Sequence, residues 1–124
     1  MWRPAIKVIL WYNHKRSAPL ESILDTGADH CFFNAEIGEA LGVPVTKGIP
    51  IPLTGFVRDA TATGFLHWLQ LTVAAQTIEA PVLFAYDITA TGILGQVGFF
   101  EHFVTTFDWT PDPPCFDIQR IHRN

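Results

Sequence analysis

Apolar residues in this chain fall in short runs that alternate in places with polar ones, and nearly every run breaks on Pro, Gly, Asn or Asp. A two-residue repeat is the signature of extended chain. Ala5 to Tyr12 reads as a strand, Asn13 to Ser17 as an exposed turn, and Pro19 to Leu24 as the antiparallel return, which runs directly into Asp25. One helix of about two turns is expected, capped by Asn34, with Glu36 in its positive first turn. It should bury Ile37, Ala40 and Leu41 and end at Gly42, with Pro44 behind it.

Extended segments from Ile49 to Val57 and from Thr63 to Val73 flank Arg58-Asp59-Ala60-Thr61, so they read as a long hairpin with Gly55 and Gly64 relieving the backbone. Ala80 to Ala85 reads as a buried strand, Gly92 to Gly95 as a strand end turning on glycine, and Gln96 to His102 as a short helical turn. Phe103 to Trp109 is a further strand, and a Pro-rich elbow leads to the last one, Cys115 to Ile121. The class is mostly β with one or two short helices.

Length makes this one domain, residues 1–124. Hydrophobic residues are 48% of the chain and charged ones only 16%, against about 25% charged in an average domain, so apolar surface is in surplus. Its natural destinations are a second copy of the chain or an apolar ligand cleft. No apolar run approaches the ~20 residues that span a bilayer, so no membrane contact is expected. A net charge of −4 with no basic run beyond Lys15-Arg16 gives no footprint for nucleic acid. The N-terminal segment lacks a secretory pattern, and a cytoplasmic location is the expectation. Cys31 and Cys115 have no metal-type spacing and read as small buried hydrophobes, so no metal or cofactor is expected. The histidines form no triad: His30 reads as a rim residue, and Phe99, Phe100 and Phe103 as core or interface packing.

The most informative stretch is Leu24-Asp25-Thr26-Gly27-Ala28-Asp29, where an apolar strand delivers an acid into a tight turn. Alone, Asp-Thr-Gly also makes ordinary turns. Here it follows two aliphatic residues, precedes a short helix, and is joined 68 residues after Asp25 by Ile93-Leu94-Gly95, a second apolar strand breaking on glycine. In these motifs and in the order of elements from about Ala5 to Trp109, the sequence resembles the retropepsin-like aspartic proteases, the family of the retroviral proteases and their cellular and bacterial relatives.

The resemblance implies a single-lobed, closed β-barrel of the acid protease fold. It implies that Asp25 is the catalytic acid, that the Thr26 hydroxyl braces two loops across a dimer, and that the Gly27 backbone faces substrate. Ala28 and Asp29 fall at substrate-binding positions, Asp29 toward the substrate main chain near the cleft end. Leu53, Thr54, Gly55, Phe56 and Val57 fall where the family carries its flap, the alternative being a plain exposed hairpin. One departure stands out: Gln96-Val97 follows the second glycine where many members have Arg then Asp or Asn. This leaves Asp29 without its usual charge partner, although the Gln96 amide can still donate a hydrogen bond.

Peptide hydrolysis of this kind needs two carboxylates sharing one proton, and the chain has a single Asp-Thr-Gly. The expectation is therefore a homodimeric aspartic endopeptidase acting on a peptide or protein, with one Asp25 from each copy. Ala28 offers no hydroxyl to stabilise the ionised pair, which places the expected optimum at about pH 5–6. The alternative is a catalytically weak or inactive protease-fold domain that binds or senses peptides.

Overall fold

The computed structural model describes residues 1–53 and 62–123. Ten strands, one α-helix and one 3-10 turn follow in the order β1 (Ala5–Tyr12), β2 (Lys15–Arg16), β3 (Leu20–Leu24), β4 (Cys31–Asn34), α1 (Ala35–Ala40), the 3-10 turn Val45–Lys47, β5 (Ile49–Pro52), β6 (Thr63–Val73), β7 (Gln76–Ala85), β8 (Gly92–Leu94), β9 (Phe103–Asp108) and β10 (Cys115–Arg120). Strands β1, β3, β8, β4, β7 and β6 pair in that sequence and β6 returns to β1, so six strands close a barrel. Short β2 and β5 extend it at either side, and β9–β10 is a separate two-stranded sheet.

Alternation in β1 decides which side chains enter the barrel. Val8 and Leu10 are buried while Lys7 is exposed, and Val73, Leu71 and Leu69 of β6 meet them from the neighbouring strand. β7 contributes Ile78, Ala80, Val82 and Phe84 to the same core, closed at one end by Phe99 and Phe103, whose rings stack with centroids 4.9 Å apart. Leu66, Leu83, Ala85, Phe32 and Leu53 belong to a second, smaller apolar cluster. The phenylalanines after Gly98 are thus packing residues, as their spacing suggests.

Four differences from the expected elements have local causes. The first turn is tighter than expected: only Asn13 and His14 form it, both with positive φ, so Lys15 and Arg16 pair as β2. β7 starts at Gln76 rather than Ala80 because β6 and β7 are joined by Ala74-Ala75, both in the left-handed region, and alanine carries no turn signal. Helix α1 has the expected Asn34 cap, whose side chain accepts from the Glu36 N–H at 2.9 Å, and Gly42 follows with φ +84°. Its buried face, however, is Ala35 and Gly38 with Leu41 just beyond, while Ile37 is half-buried and Ala40 exposed. Gly38 lies so close to Phe84 that an added Cβ would sit 3.0 Å from the ring, and that contact sets the helix rotation. Finally, residues 96–102 form turns rather than a helix.

The cysteines divide. Cys31 is buried and Cys115 is exposed on β10, contrary to the expectation of two buried thiols; alternation along β10 points Phe116 and Ile118 inward and Cys115 out. Within the described residues no helix is long and apolar enough to cross a membrane.

Candidate active site

β3 and β8 run parallel, pairing Ser22 with Gly92, Ile23 with Ile93 and Leu24 with Leu94, and β4 lies antiparallel on the other side of β8. Asp25 is the first residue past β3, where its N–H donates to the Leu94 carbonyl at 2.9 Å. The chain then doubles back: the Ala28 N–H donates to the Asp25 carbonyl at 3.1 Å, and the Gly27 N–H donates to Asp25 Oδ1 at 2.9 Å. A main-chain donor and a paired strand end therefore fix the carboxylate, which is half-buried, while Thr26 and Gly27 are exposed at the tip of the loop.

The second glycine motif holds this loop from below. An added Cβ at Gly95 would lie 2.2 Å from the His30 carbonyl oxygen and 2.6 Å from that of Ala28, so only glycine lets β8 pass beneath the loop. Immediately after it, the Gln96 N–H donates to Ala28 O and the Val97 N–H to Asp29 O, each at 2.9 Å. The Gln96 side chain adds an unexpected partner, its Nε2 donating to the Thr26 carbonyl at 2.9 Å. Where an arginine would bring charge to an acid, this glutamine makes a neutral brace to the loop backbone. Asp29 is exposed, and among the described residues no ion pair engages it.

Beside the loop lies a cleft of about 180 Å³, lined by Gly27, Asp29, His30, Phe32, Ile51, Leu53 and Leu83. Ala28 is fully buried and packs into the apolar cluster beneath it with Phe32, Leu53 and Leu83. The structure thus brings Asp25, Thr26, Gly27, Ala28, Asp29 and Leu53 to one region. Thr54, Gly55, Phe56 and Val57, the remaining flap positions, lie outside the described residues. Sequence reasoning missed Ile51 and Leu83 as lining residues: one is in a Pro-flanked edge strand, the other in a uniformly apolar run, and neither carries a polar signal. No group of three or more His, Cys, Asp or Glu among the described residues is arranged to hold a metal ion.

Two solved structures that share this architecture are a protease and a protease-like domain. EIAV protease in complex with the inhibitor HBY-793 matches with 27% identity over 76% of this chain and 82% of its own, at a TM-score of 0.53. The retroviral protease-like domain of Ddi1 from Leishmania major matches with 17% identity over 81% and 79% of the two chains, at a TM-score of 0.58. The chain has the retropepsin-like fold. No family model and no curated protein matches the sequence. In this retropepsin-like barrel, the Asp25 loop and the Gly95 turn are the two strand ends that β3 and β8 present side by side.

Proposed function

We propose that the protein is a homodimeric aspartic endopeptidase in which two Asp25 carboxylates, one from each copy, activate a water against a peptide carbonyl. The observation that carries this reading is the fixed Asp25: the chain's single Asp-Thr-Gly stands at the end of paired β3 and β8, oriented by the Gly27 N–H and beside a cleft that Gly27 and Asp29 line together with Phe32, Ile51, Leu53 and Leu83. The likeness to an inhibitor-bound protease supports the same reading.

The chemistry requires both carboxyls. The ionised one takes a proton from water as its oxygen attacks the carbonyl carbon, and the protonated one donates to the carbonyl oxygen. Thr26 and Gly27, exposed at the loop tip, are the residues that would meet the partner loop and the substrate backbone. The β9–β10 hairpin supplies interface surface: Trp109 on it is 65% exposed, Trp2 packs edge-on to that ring at 5.2 Å, and Val104 is also exposed. A two-stranded sheet is marginal by itself, so strand addition from a second copy would stabilise it.

A second reading, a domain that binds peptides without appreciable turnover, is favoured by the neutral Gln96 brace and by Asp29, which no ion pair engages among the described residues. Peptide hydrolysis by wild type and by Asp25→Asn separates the two. Cleavage lost in the variant with dimerisation intact supports the enzyme. Peptide binding without cleavage by wild type anywhere from about pH 3 to 8 supports the binding domain.

A further inference from the structure

The cleft beside the Asp25 loop carries one carboxylate on a largely apolar lining. Phe32, Ile51, Leu53 and Leu83 make its walls hydrophobic, Pro52 adds no charge, and the titratable residues among the described ones that line it are Asp29 and His30. Among the described residues no Lys or Arg lines it. At about 180 Å³ it matches the liquid volume of about six waters and falls short of the ~300–1,000 Å³ of a pocket for a whole small molecule. That is room for one long side chain.

Asp29 is held by its main chain and left open at its side chain. Its carbonyl accepts from the Val97 N–H and the adjacent Ala28 carbonyl from the Gln96 N–H, each at 2.9 Å, so the backbone on both sides of the Ala28–Asp29 peptide is pinned to the segment after Gly95. The Gln96 amide, which could have reached an acid, donates instead to the Thr26 carbonyl. Asp29 is exposed, and among the described residues no ion pair or hydrogen bond engages its carboxylate. A fixed position with a free anion is what a site for a cation needs.

We infer that Asp29 makes this cleft a subsite for a lysine or arginine side chain of the substrate, so that basic polypeptides are selected. The inference rests on the reading of the cleft given above. Lys and Arg match both parts of the lining, because their methylene stems lie along apolar surface while the charged head reaches an anion. A wholly apolar side chain would cover the carboxylate without pairing it, and an acidic one would meet like charge. With two oxygens and about four acceptor sites, the carboxylate takes the cationic head and still accepts from a substrate main-chain N–H. The chain's net charge of −4 draws cationic polypeptide in the same direction.

The test exposes a randomised decapeptide pool to the immobilised full chain carrying Asp25→Asn and sequences the bound peptides by mass spectrometry, while wild type acting on the same pool reports cleavage. Lys and Arg are expected to be enriched about tenfold over Leu and Met at one position of the aligned bound peptides, the size of one charge-assisted contact. Adding Asp29→Asn should cut the enrichment to about twofold or less, and adding Asp29→Lys should invert it toward Asp and Glu, which misfolding does not produce. Basic enrichment that is absent, or that persists with Asp29→Asn, overturns the subsite, while cleavage of the pool by wild type still upholds the endopeptidase. Enrichment inverted by Asp29→Lys, with no cleavage by wild type, upholds the subsite and overturns the endopeptidase. Dimerisation weakened by Asp29→Asn with peptide selection unchanged would assign the carboxylate to the second copy and overturn the subsite.

Discussion

Gly95→Ala probes the crossing on which the site depends. The added methyl would stand 2.2 Å from His30 O and 2.6 Å from Ala28 O, where carbon and oxygen normally approach no closer than about 3.4 Å. Both obstacles are main chain, so no rotamer change relieves them, and β8 must move away from the loop by about 1 Å. That displacement stretches three hydrogen bonds that tie the two strand ends together: Asp25 N–H to Leu94 O, Gln96 N–H to Ala28 O, and Val97 N–H to Asp29 O, each 2.9 Å. At about 1 kcal/mol each, with the strain added, the loss is about 3 kcal/mol or more, a large part of a domain's ~5–15 kcal/mol. Urea unfolding measures it, with Gly42→Ala as the control. Position 42 has φ +84° but open space around it, so alanine there should cost only about 1 kcal/mol. A Gly95→Ala protein no less stable than Gly42→Ala would refute the close crossing.

Other expectations test separate parts of the account. Replacing Ala74-Ala75 by Asn-Gly removes two left-handed alanines from the β6–β7 turn and should raise stability by about 1 kcal/mol in the same urea assay; no gain would contradict the turn geometry. Burial pushes the Cys31 thiol up to about 11, so alkylation at pH 8 should modify Cys31 only after unfolding, as peptide mass mapping would show. Burial also holds the His102 imidazole below its ordinary 6.5, with the Glu101 carboxylate opposing and the Arg120 and Arg123 guanidinium groups reinforcing the effect. The unfolded chain therefore takes up this proton first, so the stability His102 contributes is present above about pH 6.5 and lost as pH falls below it. Measured unfolding free energies should decline less steeply below that pH in His102→Gln, and an unaltered slope would count against the assignment.

Legibility followed polar punctuation. At Asn34, Gly42 and Gly95, where polar or glycine punctuation marks a boundary, the sequence alone located it, and the Asp25 loop was legible because its motif is local. The β6–β7 turn was not legible, because Ala74-Ala75 owes its left-handed backbone to the pairing of two long strands and to no preference of its own. The same is true of α1: the apolar pattern pointed to Ile37 and Ala40, but contact with Phe84, 46 residues away, turned Gly38 inward. Gln96 could be identified as a donor, yet its acceptor, the Thr26 carbonyl, emerged only when the two strand ends were set side by side.

The central claim, that each active unit needs an Asp25 from two chains, is tested most directly by subunit mixing. A fixed amount of wild type is equilibrated with about a ninefold excess of Asp25→Asn, and peptide hydrolysis is measured. If both carboxylates are required, random pairing leaves only about a tenth of the original activity, because nearly every wild-type chain is held in a mixed dimer. Activity unchanged by the excess would show that one chain suffices and would contradict the account.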